Sequence, residues 1–450
     1  MAVRSTTTEI LEWIRERNNK LSVNIERTSL DKCEGWLYDE ESGLVRHKNG
    51  AFFSIGGLSG TFRGSYVEQP ICYQKEIGYL GYLCSVIDGE MHFLTQAKME
   101  PGNISLMQLS PTIQATKSNF EQKHGGRKPV YLDIFKNVAD DDVIVDQIQS
   151  EQSSRFMGKR NCNIIIRTDD PDSIELTENH RWVSLRQMRE LSKYDNLVNM
   201  SSRTVLAGIP FSTMRQDYWV DEIRDEALRN SIFKEPDHQL LKDIRHRIVQ
   251  YKMFNDDDVR EVPLMSLAGW ELTEDGFSCK EDYPFRLNFC RIAIEGREVR
   301  EWCQPLFEAT GRAFFGLFAR DHEGKREWLL RLKPEIGCFD KVELGPTVQR
   351  EAFSRIPEND IDKLFIRKLE EAKSSGDKDG RIMFDTLLAE EGGRFYHEEN
   401  RNVILKIEDD EIDELPNDYF WCDYATIQAM NSDNNHLNIQ LRSLMSVINL

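Results

Sequence analysis

The sequence lacks the features that mark a membrane or exported protein. No stretch approaches the roughly 18 uninterrupted apolar residues of a membrane-spanning helix. Charges at Arg4, Glu9, Glu12, Arg15, Glu16, Arg17 and Lys20 break up the start of the chain, where a signal peptide would need an apolar run. The 9 cysteines (Cys33, Cys72, Cys84, Cys162, Cys279, Cys290, Cys303, Cys338 and Cys422) stand singly with no CxxC pair, as expected of reduced thiols in a cytoplasmic protein. The 9 histidines form no HxxxH, HExxH or Cys/His cluster, so no protein-bound metal is expected. There is no P-loop, nucleophile elbow or kinase motif set, and Gly56-Gly-Leu-Ser-Gly60 lacks the spacing and following helix of a dinucleotide fingerprint. No long Lys/Arg block offsets the net charge of −19, which argues against nucleic acid and anionic membranes as partners. What remains is a chain of 450 residues, 40% hydrophobic, able to bury one large core or two ordinary ones. If it binds a small phosphorylated ligand, the cations for it must be local and few.

The chain contains a repeat. Gln69 to Gln114 aligns without a gap on Gln304 to Gln349, matching Gln69/Gln304, Gly81/Gly316, Lys98/Lys333, Glu100/Glu335, Gly102/Gly337, Thr112/Thr347 and Gln114/Gln349 among others. Glu151 to Arg203 aligns likewise on Glu390 to Arg442, matching Arg155/Arg394, Phe156/Phe395, Asn161/Asn400, Trp182/Trp421, Asn199/Asn438 and Arg203/Arg442. The units open near Gly35-Trp36 and Gly269-Trp270. The expected organisation is residues 1–210 as the first repeat, 211–267 as a helical linker and 268–450 as the second repeat.

Apolar spacing predicts helices over Thr8 to Asn18 and, after an Asp237 cap, through Leu240, Leu241, Ile244, Ile248 and Tyr251. Alternation from Met91 to Lys98 predicts a strand with Gln96 and Lys98 on one face and Glu100 following on that side. Arg331, Lys333 and Glu335 are its counterpart. Short buried strands are expected at Asn163 to Arg167 and Val403 to Lys406, and a capped helix from Ser184 to Tyr194. No regular strand–helix alternation appears, so the fold class is α+β.

Gln96-Ala-Lys-Met-Glu-Pro-Gly-Asn103 gathers a cation, an anion and amides at the end of a strand, a plausible rim for a phosphate or sugar; a solvated face ending in a Pro-Gly turn is the plainer reading. A turn needs Gly and Pro but not the Lys/Glu pair, which recurs in both copies and favours the rim. Thr112 and Gln114 could hydrogen-bond a base or sugar, or simply follow a proline at a sheet edge. Arg155, repeated as Arg394, offers the planar donor fork that suits a diphosphate, or a structural ion pair. His47 precedes an apolar strand, where a lone histidine is more often incidental than catalytic.

Taken together, QAKMEPGN, QLSPTIQATKSNF, QSEQSSRF, RNCN and DNLVNMSSRTVLAGIP in the first half, with REVREWCQPLF, VELGPTVQ, AEEGGRF and LNIQLRSLMSVI in the second, resemble the NDP-4-keto-6-deoxyhexose 2,3-dehydratases. The resemblance covers roughly residues 30 to 450. It implies a tandem duplication of two Nudix-like modules with mixed sheets, a homodimer, and a nucleotide-sugar pocket in each module, one of them a vestige of the duplication. It also implies a dTDP-linked substrate and a downstream NAD(P)H-dependent 3-ketoreductase to consume an unstable diketo product. The hydrolytic Nudix box is absent, and Leu388-Ala-Glu-Glu-Gly-Gly393 only echoes its last letters. Two departures from the family pattern are Arg63-Gly-Ser-Tyr-Val-Glu before Gln69-Pro70, and Lys280-Glu-Asp-Tyr-Pro-Phe285 where the second repeat usually carries His-x-x-Gly-x-Phe-Phe.

The implied elimination needs no cofactor, because the sugar's own ketone takes up the electrons. It needs a base, an acid for the departing hydroxide and a donor for the C4 oxyanion. The candidate catalytic residues are Glu100, Lys98 and His47. Gln96, Asn103, Thr112, Gln114, Arg155, Lys159, Arg160, Asn199 and Arg203 are candidates for substrate binding. Lys333, Glu335, Thr347, Gln349, Arg394 and Arg442 would form the second pocket. The active pocket is expected in the first module, which keeps His47. A non-catalytic nucleotide-sugar-binding protein on the same scaffold, or a metal-stimulated Nudix hydrolase, are the competing readings.

Overall fold

A computed structural model describes residues 5–50, 52–121, 128–212, 223–295, 300–354, 359–412 and 414–448. Two seven-stranded mixed sheets lie at its centre. In the first the order is Val143–Ser150, Arg160–Arg167, Tyr79–Ile87, Glu90–Met99, His180–Ser184, with Met107–Ser110 and Ile113–Ala115 paired alongside. The second sheet has the same order, Ile382–Ala389, Glu399–Lys406, Phe314–His322, Lys325–Pro334, Tyr419–Asp423, with Val342–Gly345 and Val348–Arg350 in the short places. One pair in each is parallel, Arg160–Arg167 with Tyr79–Ile87 and Glu399–Lys406 with Phe314–His322. The class is α+β, as the pattern of the sequence predicts.

Two five-stranded sheets cross the boundary between the halves. Val23–Thr28, which precedes the first unit, pairs with Phe285–Ile294 of the second. Asp258–Val262, which precedes the second, pairs with Ser54–Phe62 of the first. The segment 211–267 therefore holds more than helix: Glu226–Ile232, His238–Phe254 and this crossing strand. Residues 213–222 of it lie outside the described residues, as do Arg297 to Val299 of the REVREWC string and Ala51 beside His47.

Local chemistry explains the predicted elements. Thr6 caps the helix Thr7–Asn19 in a reciprocal box with Glu9, and Ile10, Trp13 and Ile14 bury its apolar stripe. Asp237 caps His238–Phe254 by accepting the amides of Gln239 and Leu240, and Leu241, Ile244 and Ile248 face inward. Ser184 and Gln187 form the box that starts Leu185–Leu191.

The halves share their interior. One apolar core runs from Ile10, Tyr82 and Leu109 to Leu330, Leu344 and Leu444; another joins Trp36 and Phe53 to Phe285, Phe307 and Phe395. Helices Met200–Leu206 and Ile439–Ser446 are buried along their whole length. Between them Arg203 donates from Nε to Ser443 Oγ and Arg442 from Nε to Thr204 Oγ1, each at 2.7 Å. Both guanidiniums also donate to carbonyls of the opposite half, Ala389 and Ser150. These two arginines fasten the copies together.

A second fastening lies at Gly102 and Gly337. A Cβ on Gly102 would stand 1.5 Å from the Phe395 carbonyl oxygen, and one on Gly337 would stand 2.1 Å from that of Phe156. Only glycine permits the approach. It allows Gly102 N to donate to Gly392 O at 2.7 Å and Gly337 N to Ser153 O at 2.8 Å. Each Pro-Gly or Ile-Gly turn thus clasps the 151–156 or 390–395 turn of the other copy.

Candidate functional site

That clasp decides which residues meet. The strand Glu90–Met99 carries Gln96 and Lys98 to the wall of a cavity of about 1250 Å³, and Glu100 follows at its end. The 390–395 turn of the second copy forms the facing wall with Glu391, Gly393 and Arg394, held by Gln304 Nε2 donating to Gly393 O at 2.7 Å. Trp36, His47, Phe53, Glu76, Thr112, Gln114, Glu151, Lys159 and His180 are among the other lining residues. The site is composite, formed by both copies.

Lys98 Nζ lies 3.2 Å from Glu100 Oε1 and 3.3 Å from the Gln114 carbonyl, to which it donates. Gln114 Nε2 donates to Glu100 Oε1 at 3.1 Å, and Asn199 Nδ2 donates to Gln114 Oε1 at 3.2 Å. In the second copy Lys333 Nζ donates to the Gln349 carbonyl at 3.3 Å, Gln349 Nε2 to Glu335 Oε1 at 3.0 Å and Asn438 Nδ2 to Gln349 Oε1 at 2.8 Å. There burial dominates: it pushes Lys333 down and Glu335 up, so the pair gains little from ionising.

The arginines are exchanged relative to the expectation. Arg394, assigned above to the second pocket, lines the first, its guanidinium 4.0 Å from the Phe53 ring centroid. Arg155, assigned to the first, faces the second copy, 3.8 Å over Phe285 and bidentate to Glu351 at 3.0 Å on both nitrogens. The cause is the clasp, which sends each arginine-bearing turn across to the other copy. Among the described residues no carboxylate lies within ion-pair distance of Arg394, and the position matching Glu351 is Thr116.

Other candidates have structural partners. Thr112 Oγ1 donates to Leu94 O at 2.5 Å and accepts Leu83 N at 2.8 Å; Thr347 does the same with Leu329 and Phe318. These hydroxyls join strands and are not offered to a ligand. Asn103 Nδ2 donates to Leu106 O at 2.7 Å within the turn, and Asn199 caps its helix by accepting Ser202 N. Arg160 stacks 3.6 Å over Phe339. Lys159 does reach the cavity, with Nζ donating to Asn161 Oδ1 at 2.8 Å and to the Glu76 carbonyl. His47 also lines it, its Nδ1 2.6 Å from Asn49 Oδ1.

His180, Glu391 and Trp36 are among the lining residues with no claim from the sequence. His180, 3.3 Å from the Thr112 carbonyl through Nε2, is pushed down to about 4 by burial and stays neutral. Glu391 is pushed up to about 8 by burial and by the nearby Glu100 and Glu151, against Arg394 and Lys98. Trp36 donates from Nε1 to the Cys303 carbonyl, an aromatic wall shared with Phe53, ring centroids 4.8 Å apart. Only Glu391 left a trace in the sequence, in the Leu388–Gly393 echo.

The geometry defines a deep pocket lined by several carboxyl groups, among them Glu100 and Glu391, with the Lys98 ammonium beside Glu100 and the Arg394 guanidinium nearby, suited to acid–base chemistry on a small anionic ligand. The sequence profile of the NDP-hexose 2,3-dehydratases matches residues 7–209 and 241–448, and the chain belongs to that family. It is 36% identical over 442 residues to a dTDP-4-dehydro-6-deoxy-alpha-D-glucopyranose 2,3-dehydratase of Streptomyces violaceoruber, covering 97% of this chain and 95% of that one. Proteins of the same description from Amycolatopsis orientalis and Saccharopolyspora spinosa are 32% and 31% identical, covering 99% and 98% of this chain and 91% and 90% of theirs. Among the described residues no helix is long and apolar enough to cross a membrane.

Proposed function

We propose that this chain is a hydro-lyase that removes water across C2–C3 of a dTDP-linked 4-keto-6-deoxyglucose, giving a 3,4-diketo-2,6-dideoxy sugar nucleotide. The observation that carries the reading is the pairing of Lys98 and Glu100 with Arg394 around one cavity large enough for a nucleotide sugar. Family membership supplies the reaction.

The C4 ketone acidifies the C3 proton. Glu100, its charge balanced by the Lys98 ammonium, removes that proton, and the enolate expels the C2 hydroxyl. Lys98 lies beside Glu100, where it can also donate to the growing C4 oxyanion. Arg394 and Lys159 hold the diphosphate, the guanidinium fork being available because no carboxylate among the described residues lies within ion-pair distance of it. Gln96, on the same wall as Lys98, and His47 contact the sugar or base.

The scaffold is read as two Nudix-like modules, supported by the matching order of the two seven-stranded sheets. A cytoplasmic homodimer whose product passes to an NAD(P)H-dependent 3-ketoreductase completes the proposal, since the diketo product is unstable. Incubation with the 4-keto substrate and such a reductase tests it. A trapped product lighter by one water than the directly reduced substrate is expected. Unchanged substrate in the presence of bound nucleotide would favour the binding protein instead, and metal-stimulated release of a nucleoside monophosphate would favour the hydrolase.

A further inference from the structure

The elimination needs a proton for the leaving hydroxide, and Glu100 cannot both take the C3 proton and supply another at the same moment. We propose that Glu391, reaching across from the second copy, is the acid that protonates the C2 hydroxyl of a sugar bound in the first pocket. This rests on the dehydratase reading above.

Three observations carry it. Glu391 and Glu100 line the same cavity, and their backbones are tied together: Gly102, two residues beyond Glu100, donates to the carbonyl of Gly392, next to Glu391, at 2.7 Å. The Glu391 carboxyl is fixed in place, since one oxygen accepts the Gly393 amide at 3.0 Å. Its other oxygen has no hydrogen-bond partner among the described residues and is open to the cavity. Finally, the copies differ here. The residue matching Glu391 in the first copy's turn is Gln152, so the acid is present only where it faces the first pocket.

The charges around Glu391 set its protonation. Glu100 at the strand end and Glu151 on the neighbouring turn raise it along with burial, while Arg394 and Lys98 lower it. The balance raises Glu391 toward the protonated form that an acid needs. Glu391 as acid and Glu100 as base then divide the two proton transfers between them. In the step itself the C3–H bond breaks toward Glu100 and its electrons form the enolate. The C2–O bond then breaks, and the oxygen leaves as water with the Glu391 proton. Ketonisation of the resulting enol adds one proton at C2 and releases one from O3, which restores both groups.

The test is Glu391→Gln in the full chain, followed with the 4-keto substrate in deuterium oxide. Elimination should fall by roughly 10²- to 10⁴-fold. Deuterium exchange at C3 should continue, and binding of thymidine diphosphate should be unchanged. In the wild type kcat should decline as pH rises through about 8, and Glu391→Asp should recover part of the lost rate with such a limb present. Wild-type turnover in Glu391→Gln, loss of C3 exchange along with elimination, loss of nucleotide binding, or equal rates in the Gln and Asp variants would each overturn the assignment. Failure of the wild type to release water would instead overturn the dehydratase reading.

Discussion

The surroundings of Lys98 and Glu100 in the first copy and of Lys333 and Glu335 in the second share a frame and differ in how their charges are satisfied. Both keep the Lys–Glu–Gln–Asn network, yet the second supplies its own counter-ions. Glu351 grips Arg155, Arg331 lies 3.4 Å from Asp362 and donates to the Tyr419 hydroxyl, and Glu68 accepts the amides of Ala268 and Gly269. In the first pocket the matching positions hold Thr116 for Glu351, Gln96 for Arg331, His180 for Tyr419 and Cys303 for Glu68. A charge already matched by the protein costs more to redirect toward a ligand than one left open. The difference teaches that the Lys–Glu pair shared by both copies does not make a site by itself; the surroundings, which leave charges open in one copy and match them in the other, set the two apart.

The largest effect should come from separating the copies. Residues 1–210 alone would lose the strand Asp258–Val262 and uncover the buried helix Met200–Leu206, with Met200, Val205 and Leu206, where it packs against Ile439–Ser446. Each such side chain contributes about 1.5–3 kcal/mol when buried, so a few suffice to exceed the roughly 5–15 kcal/mol of net stability usual for a domain. The isolated segment should show no cooperative unfolding by circular dichroism, and the full chain should unfold in one transition. A folded half would mean the clasp and shared core are dispensable.

The two arginines should then behave oppositely. Arg394→Met should leave the melting temperature nearly unchanged and raise KM roughly 10- to 100-fold, the worth of a charge-assisted hydrogen bond to phosphate. Arg155→Met should leave KM alone and cost about 3 kcal/mol of stability, because Glu351 loses the partner that holds its carboxyl below the usual range. Steady-state kinetics beside urea denaturation separates the two outcomes; the reverse pattern would return Arg155 to substrate binding.

A smaller, pH-dependent contrast lies at Glu343, where the first copy has Gln108. Burial pushes Glu343 up to about 8, against help from Arg442 and the Ser150 hydroxyl. Because its folded value lies above its unfolded one, its contribution is fully present below about 4.5 and is lost as pH rises through about 8. Glu343→Gln should therefore stabilise the chain by about 1–3 kcal/mol at pH 8, with the advantage shrinking toward pH 5. Urea midpoints at several pH values check this.

Much of the frame was legible in the sequence. Periodicity located the helices Thr7–Asn19 and His238–Phe254 and the strand Glu90–Met99, because their apolar stripes and caps are local signals. The matched residues Gly102/Gly337, Arg203/Arg442 and Phe156/Phe395 are legible too, but they fasten the copies together, while Gln69/Gln304 each hold the arginine-bearing turn of their own copy. What could not be read was the crossing itself. Periodicity reports which face of a strand is buried, not which half of the chain buries it. Hence Arg155 and Arg394 were placed in each other's pockets, and Glu391 and His180 went unnoticed until the turn and the sheet brought them to the cavity.

The claim that chemistry belongs to the first pocket is tested most directly by measuring kcat for Glu100→Gln and Glu335→Gln side by side on the 4-keto substrate. The account predicts a loss of roughly 10²- to 10⁴-fold in the first and nearly full turnover in the second. Equal losses, or a dead Glu335→Gln beside an active Glu100→Gln, would contradict it.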